Sequence, residues 1–192
     1  MKRILFIVAI LMCSIAHSQE TVEFKLQPNA TFAAPDGTSY IVIPFEGKTA
    51  EELYSMVKSN VMTLYKSPDR VMSENPHASI SIRAYSDRVG SKTIAFIPRV
   101  FAGYYNLVFQ FKDGKIRVNA PIIDDTLTDR DNMLDYQYIP SFRGLVKGYY
   151  KDGKPKDKSH AAIMITERSV NLPINYLLGL LKTESNDTND DW

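Results

Sequence analysis

Between Ile80 and Ala120 apolar and polar residues alternate with a period of two, the spacing of strands that bury one face and wet the other. Ile80, Ile82 and Ala84 alternate with Ser81, Arg83 and Tyr85; Leu107, Phe109 and Phe111 alternate with Val108, Gln110 and Lys112. Asp113-Gly114 then turns the chain, and Ile116, Val118 and Ala120 resume the alternation against Arg117 and Asn119. That is a β-hairpin with a two-residue turn, in which glycine takes a positive φ at little cost. A strand is predicted from Thr93 to Phe101 between these two patterns. Earlier strands are predicted from Thr21 to Leu26 and from Tyr40 to Phe45, the latter rich in β-branched and aromatic residues.

Two segments switch to helical spacing. Thr49 and Glu52 stand as a capping box, the threonine hydroxyl taking an orphan amide and the glutamate reaching back to the cap. Leu53, Val57, Val61 and Leu64 follow on one face until Ser67-Pro68 ends the pattern. The second helix is predicted from Ser159 to Lys182, with Ile163, Val170, Ile174, Leu177, Leu178 and Leu181 on its buried face and Pro173 kinking or splitting it. From Asp124 to Lys158 the periodicity fades into polar, tyrosine-rich sequence, read as a long excursion with a helical turn near Met133. Strand, helix, strand meander, helix is the order of an α+β fold: a single antiparallel β-sheet with two helices packed on one face.

The N-terminus follows a different rule. Met1-Lys2-Arg3 is positive, Ile4 to Met12 is apolar, and Ala16-His17-Ser18 places small residues where a signal peptidase looks. Residues 1–18 therefore read as a signal peptide, 19–39 as a lead-in, 40–182 as the domain and 183–192 as a disordered acidic tail. The apolar run falls short of the roughly 20 residues that span a bilayer, and Cys13 lacks the small residue before it that a lipoprotein site requires. No membrane span is expected after cleavage.

Cleavage leaves 174 of the 192 residues, a length for one domain, with 21 basic residues against 22 acidic once Lys2 and Arg3 are lost. Such balance gives no bulk attraction to nucleic acid, and no nucleic-acid partner is expected. The only cysteine, Cys13, leaves with the signal, so neither disulfides nor thiol chemistry are expected. An exported chain without disulfides fits the periplasm or cell surface of a Gram-negative bacterium.

The stretch Tyr40-Ile-Val-Ile-Pro-Phe-Glu-Gly-Lys-Thr-Ala-Glu-Glu-Leu-Tyr54 and the later Tyr105-Asn-Leu-Val-Phe-Gln-Phe-Lys-Asp-Gly-Lys-Ile-Arg-Val118 resemble a family of uncharacterised exported bacterial domains with a TATA-binding-protein-like fold. The resemblance covers about Tyr40 to Lys182. It implies the fold and no activity, because its motifs are a cap, a helix face and a hairpin turn, and fold does not dictate function.

Chemistry-bearing patterns are few. Gly148-Tyr-Tyr-Lys-Asp-Gly-Lys-Pro155 approaches a phosphate loop, but Pro155 stands where a hydroxyl would hold magnesium, and the segment reads as a Lys-Asp-Gly-Lys turn. Asp124, Asp125, Asp129, Asp131 and Asp135 cluster without the glycine and glutamate of a calcium loop. His77 follows Pro76 in a turn, His160 opens the last helix, and Gly-x-Ser-x-Gly is missing. No catalytic, metal or cofactor residues are assigned. Residues 142–158 mix lysines with Phe142, Tyr149 and Tyr150, a combination that stacks on sugars or grips anions. Tyr136, Tyr138, Tyr149 and Tyr150 are the candidate stacking groups, with Lys147 and Lys151 as polar contacts. The function expected is a non-enzymatic binding domain for an envelope protein or a glycan, the alternative a hydrolase using Asp and Glu in a cleft.

Overall fold

The computed structural model describes residues 21–181, so the expected signal segment 1–18 and the whole of the expected acidic tail 183–192 lie outside the described residues. The described chain opens with β1 (Lys25–Leu26) and β2 (Phe32–Ala33), a short antiparallel ribbon. A six-stranded sheet is built from β3 (Tyr40–Pro44), β4 (Met72–Asn75), β5 (Ser79–Ile94), β6 (Ile97–Lys112), β7 (Lys115–Asn119) and β8 (Ile122–Asp129). Its order is β3-β7-β6-β5-β4, with β8 alongside the middle of β6, Phe101 to Asn106, and every pairing is antiparallel. The helices are α1 (Ala50–Leu64), α2 (Pro68–Val71), α3 (Phe142–Lys147) and α4 (His160–Leu177), and β9 (Tyr150–Lys151) with β10 (Lys154–Pro155) forms a third small sheet.

Register carries the alternation read from the sequence straight across the sheet. Ile80 stands opposite Phe109, Ile82 opposite Leu107 and Ala84 opposite Tyr105; Phe109 in turn faces Val118, and Phe111 faces Ile116. All are buried, together with Leu53, Val57 and Val61 of α1 and Ile163, Val170, Ile174 and Leu177 of α4. Each such large side chain removed from water contributes roughly 1.5 to 3 kcal/mol. The capping box at Thr49 forms as expected, and the Asp113 carboxylate also accepts the Ala50 amide, tying the β6–β7 turn to the start of α1. Leu64, expected on the buried stripe, is exposed at the helix end, while Tyr54 is buried instead.

Several expectations are corrected. The fold is α+β and antiparallel, but it carries three sheets and four α-helices among the described residues rather than one sheet and two helices. The separate strand expected from Thr93 to Phe101 does not exist. β5 and β6 are 16 residues each, and the chain reverses inside that stretch at Ala95-Phe96. No Gly, Asn or Asp marks the turn, so composition hid it. A bulge between Ser86 and Gly90 likewise breaks the alternation and made one long strand look like two. The excursion from Asp124 to Lys158 resolves into β8, the 3-10 turn Tyr136–Tyr138, α3 and the β9–β10 ribbon. A register shift in the β6–β8 pairing, between Gly103 and Tyr105, spoils the period there. α4 runs through Pro173 and stops at Gly179, where φ is 69° and the Leu180 amide bonds back to the Asn175 carbonyl.

The lead-in belongs to the same core: Val22, Phe24, Leu26 and Phe32 are buried with the sheet and helices. Only Lys25–Leu26 of the expected first strand pairs as strand. The rest is held by α4, whose Asn175, Asn171 and Glu167 carboxamides and carboxylate accept the amides of Val22, Phe24 and Leu26 at 2.7, 2.9 and 3.0 Å.

Candidate functional site: the helix-free face of the sheet

Alternation that buries one face of β5 and β6 delivers the intervening residues to the other. Arg83, Tyr85, Tyr104 and Asn106 lie there by register, Arg83 opposite Asn106 and Tyr85 opposite Tyr104. Three of the four, Arg83, Tyr85 and Tyr104, are exposed. The Tyr85 and Tyr104 rings meet edge to face with centroids 5.3 Å apart, and the Arg83 guanidinium lies 4.2 Å above the Tyr104 ring. β8 supplies the third side: Arg83 Nη2 reaches Asp124 Oδ2 at 2.5 Å, Asn106 Nδ2 donates to Asp124 Oδ1 at 3.0 Å, and the Tyr85 hydroxyl is 3.3 Å from Thr128 Oγ1. The Asp124 carboxylate thus fixes both the cation and the amide, while Arg83, Tyr85 and Tyr104 keep exposed surface around the stacked contacts.

The same face continues over the first strands. Tyr40 stands opposite Asn119 and Val42 opposite Arg117, whose guanidinium lies 4.1 Å over the Tyr40 ring. Ser73, Ser79, Ser81, Val108 and Gln110 fill the surface between. The result is a platform of stacked Tyr–Arg pairs interleaved with hydroxyl, amide and carboxylate groups. It can stack planar or CH-rich ligand surfaces and hydrogen-bond their rims.

The residues singled out from the sequence are scattered. Tyr136 and Tyr138 are 82% and 62% exposed on their 3-10 turn, Lys147 is exposed at the end of α3, and Lys151 is exposed on β9. Tyr149 is 4% exposed, and its hydroxyl both accepts the Ser91 amide at 3.0 Å and donates to the Ser91 carbonyl at 2.7 Å. Its ring serves the core and offers no stacking face. Tyr150 is half-buried, its hydroxyl donating to the Leu26 carbonyl at 2.7 Å. The Lys-Asp-Gly-Lys turn is confirmed, with Asp152 and Gly153 at positive φ.

The acidic cluster is also structural in its described contacts. Asp125 accepts the Arg143 amide near the start of α3, and buried Asp129 accepts the amides of Asp131, Met133 and Leu134. No three His, Cys, Asp or Glu side chains gather as metal ligands among the described residues. The described chain also carries two shallow, open surface hollows. One, of about 550 Å³, is lined by residues of the lead-in such as Gln27, Asn29 and Phe32. The other, of about 660 Å³, lies at the β9–β10 ribbon among Lys151, Asp152, Lys154 and Asp157. No helix of the described residues is long and apolar enough to cross a membrane.

No family model matches the sequence, and no curated protein matches it. Among solved structures, a TBP-like protein from Parabacteroides distasonis superposes with a TM-score of 0.52 at 10% sequence identity, over 73% of this chain and 89% of that one. The fold is TATA-binding-protein-like. A DUF4468 family protein from Bacteroides ovatus gives a TM-score of 0.45 at 10% identity, covering 75% and 86% of the two chains. At 10% identity the likeness to the TBP-like protein is one of fold alone. Sequence reasoning had placed Arg83 and Tyr85 on the wetter face of a strand; what it lacked was Tyr104 and Asp124, which only the full-length β6 and the irregular β8 bring beside them.

Proposed function

We propose that this protein is an exported, non-enzymatic binding domain of the bacterial envelope that recognises a saccharide through the helix-free face of its sheet. The observation that carries the reading is the cluster of Arg83, Tyr85, Tyr104, Asn106 and Asp124, in which aromatic rings and hydrogen-bonding groups alternate within one surface. A sugar ring presents the same alternation, CH groups on its faces and hydroxyls at its edge. Tyr rings supply apolar contact with a polar rim, and charge-assisted donors fix orientation. Export is supported by the tripartite N-terminus, with a mature chain starting at or near Gln19 in the periplasm or at the cell surface of a Gram-negative bacterium.

Binding to arrayed bacterial glycans tests the site. Tyr104→Ala and Arg83→Ala are expected to weaken capture at least about tenfold, the loss of a stacked and desolvated contact, while the melting temperature changes little. Retention of full binding by both variants, with loss in a Tyr136→Ala, Tyr138→Ala double variant, would move the site to the 3-10 turn. Mass spectrometry of protein recovered from the native envelope tests export. A product still carrying Met1, or lipid on Cys13, would refute the processing proposed.

A further inference from the structure

The β5–β6 hairpin ends in a feature that the fold itself does not need. Ile94 pairs with Ile97, so Ala95 and Phe96 form the two-residue turn, at φ 47° and 66°. Two consecutive positive φ angles are met at little cost by Asn-Gly and at a real cost by a bulky side chain. Phe96 is nevertheless 99% exposed and Ile97 50% exposed, so the strained residue gains no burial in return. Backbone strain combined with an unburied aromatic marks a position selected for contact with something else.

The residues behind the tip say what that something is. Lys92 stands directly opposite Arg99, a like-charged pair that costs stability across a ladder, and Arg88 is exposed at the bulge below. Lys92 and Arg88 are exposed and Arg99 is 9% exposed; none of the three forms an ion pair among the described residues, and Arg99 Nε has no hydrogen-bond partner there. Nearby acids are engaged: Asp129 holds three backbone amides, and Asp131 pairs with Arg130 at 3.0 Å. Asp87, next to Arg88, offsets the collar only in part. An apolar tip backed by unpaired cations matches a bilayer whose headgroups are anionic, where aromatic rings settle at the acyl boundary and each basic residue adds electrostatic attraction.

We propose that the β5–β6 hairpin is a membrane-docking finger: Phe96 and Ile97 enter the interface of an anionic bilayer, exposed Lys92 engages its headgroups, and Arg88 adds longer-range attraction. A protein pocket for Phe96 would not call for the cationic collar, so a lipid surface is the occupant that the charges select. The inference stands independently of saccharide binding at the sheet face.

The test uses the chain with its own N-terminus, purified from a bacterial host in the form in which it accumulates, so that every variant carries the same terminus. Co-sedimentation is measured with vesicles of phosphatidylcholine alone and with one part in three replaced by phosphatidylglycerol. The unmodified protein is expected to partition onto the anionic vesicles about tenfold or more strongly than an Ala95→Asn, Phe96→Gly variant, the effect of withdrawing one buried aromatic ring. That variant is expected to melt at the same temperature or higher, because its turn suits positive φ. Lys92→Glu is expected to remove the preference for anionic over neutral vesicles, as is raised salt. Equal partition of unmodified protein and turn variant overturns the proposal, as does an anionic preference that survives Lys92→Glu. Phe96-dependent self-association in velocity sedimentation, with no vesicle difference, also overturns it and assigns the tip to a second copy.

Discussion

The Tyr149 hydroxyl holds both the amide and the carbonyl of Ser91 on the edge of β5, a task it performs only while protonated. Burial pushes it up to about 12 from an ordinary phenol value of 10.0, and burial raises Tyr65 and Tyr105 as well, the latter two sharing a 2.9 Å hydroxyl pair. A group whose folded value is raised contributes stability in full below its unfolded value and loses it as pH climbs toward the folded one. Melting temperature is therefore expected to hold to about pH 9 and fall between about pH 10 and 12, Tyr149 alone withdrawing roughly 2 to 3 kcal/mol. Tyr149→Phe should lower stability at neutral pH by about 1 to 3 kcal/mol and flatten the alkaline fall. An alkaline profile with the same slope in both proteins would sever the link to this phenol. In the core, Phe109→Ala and Leu53→Ala are each expected to cost about 2 to 5 kcal/mol in denaturant unfolding. These two were legible from periodicity alone. Tyr149 was not, because a tyrosine among lysines has the composition of a surface loop whether its ring points outward or, as here, caps a strand edge.

β5 passes close to α3 and α4 at Gly90. A Cβ there would stand 2.7 Å from Leu145 Cδ2 and 3.0 Å from the Tyr149 hydroxyl, so β5, α3 and the Tyr149 cap converge on a position where any side chain forces Leu145 to move. Gly90→Ala should destabilise the protein by about 1 to 3 kcal/mol and speed amide exchange at Ser91; a variant as stable as its parent would show that Leu145 yields freely. Elements with their own local chemistry were readable in advance: the Thr49 capping box, the Asp113-Gly114 turn and the hydrophobic stripe of α1. Elements specified by long-range packing were not. The tip at Ala95-Phe96 contradicts turn propensity, and β8 buries Ile123 and Leu127 across an irregular register that no period-two scan detects. The same blindness split the sheet-face site, since its strand positions were visible singly and their convergence on Asp124 was not.

Across the whole molecule, the lead-in and α4 are joined by side chains spaced four apart. Asn175 and Asn171 each bind both the amide and the carbonyl of one lead-in residue, Val22 and Phe24, so the helix imitates one edge of a β-ladder. Asparagine is a weak helix former, and two of them one turn apart were a signal available in the sequence. Replacing both by alanine leaves backbone groups under buried Val22 and Phe24 without partners, and is expected to cost about 2 to 5 kcal/mol and to release protection from hydrogen exchange at residues 22–26. Unchanged exchange there would mean that apolar packing alone retains the segment. The bond between Val22 and Asn175 spans 153 positions, and closing it has a kinetic meaning. The lead-in leaves the ribosome long before the α4 side chains that hold it, and contacts so distant along the chain form late. Until α4 is complete, Val22 and Phe24 lack the carboxamides that hold their amides and carbonyls, so the lead-in is the last part of the described core to be fastened.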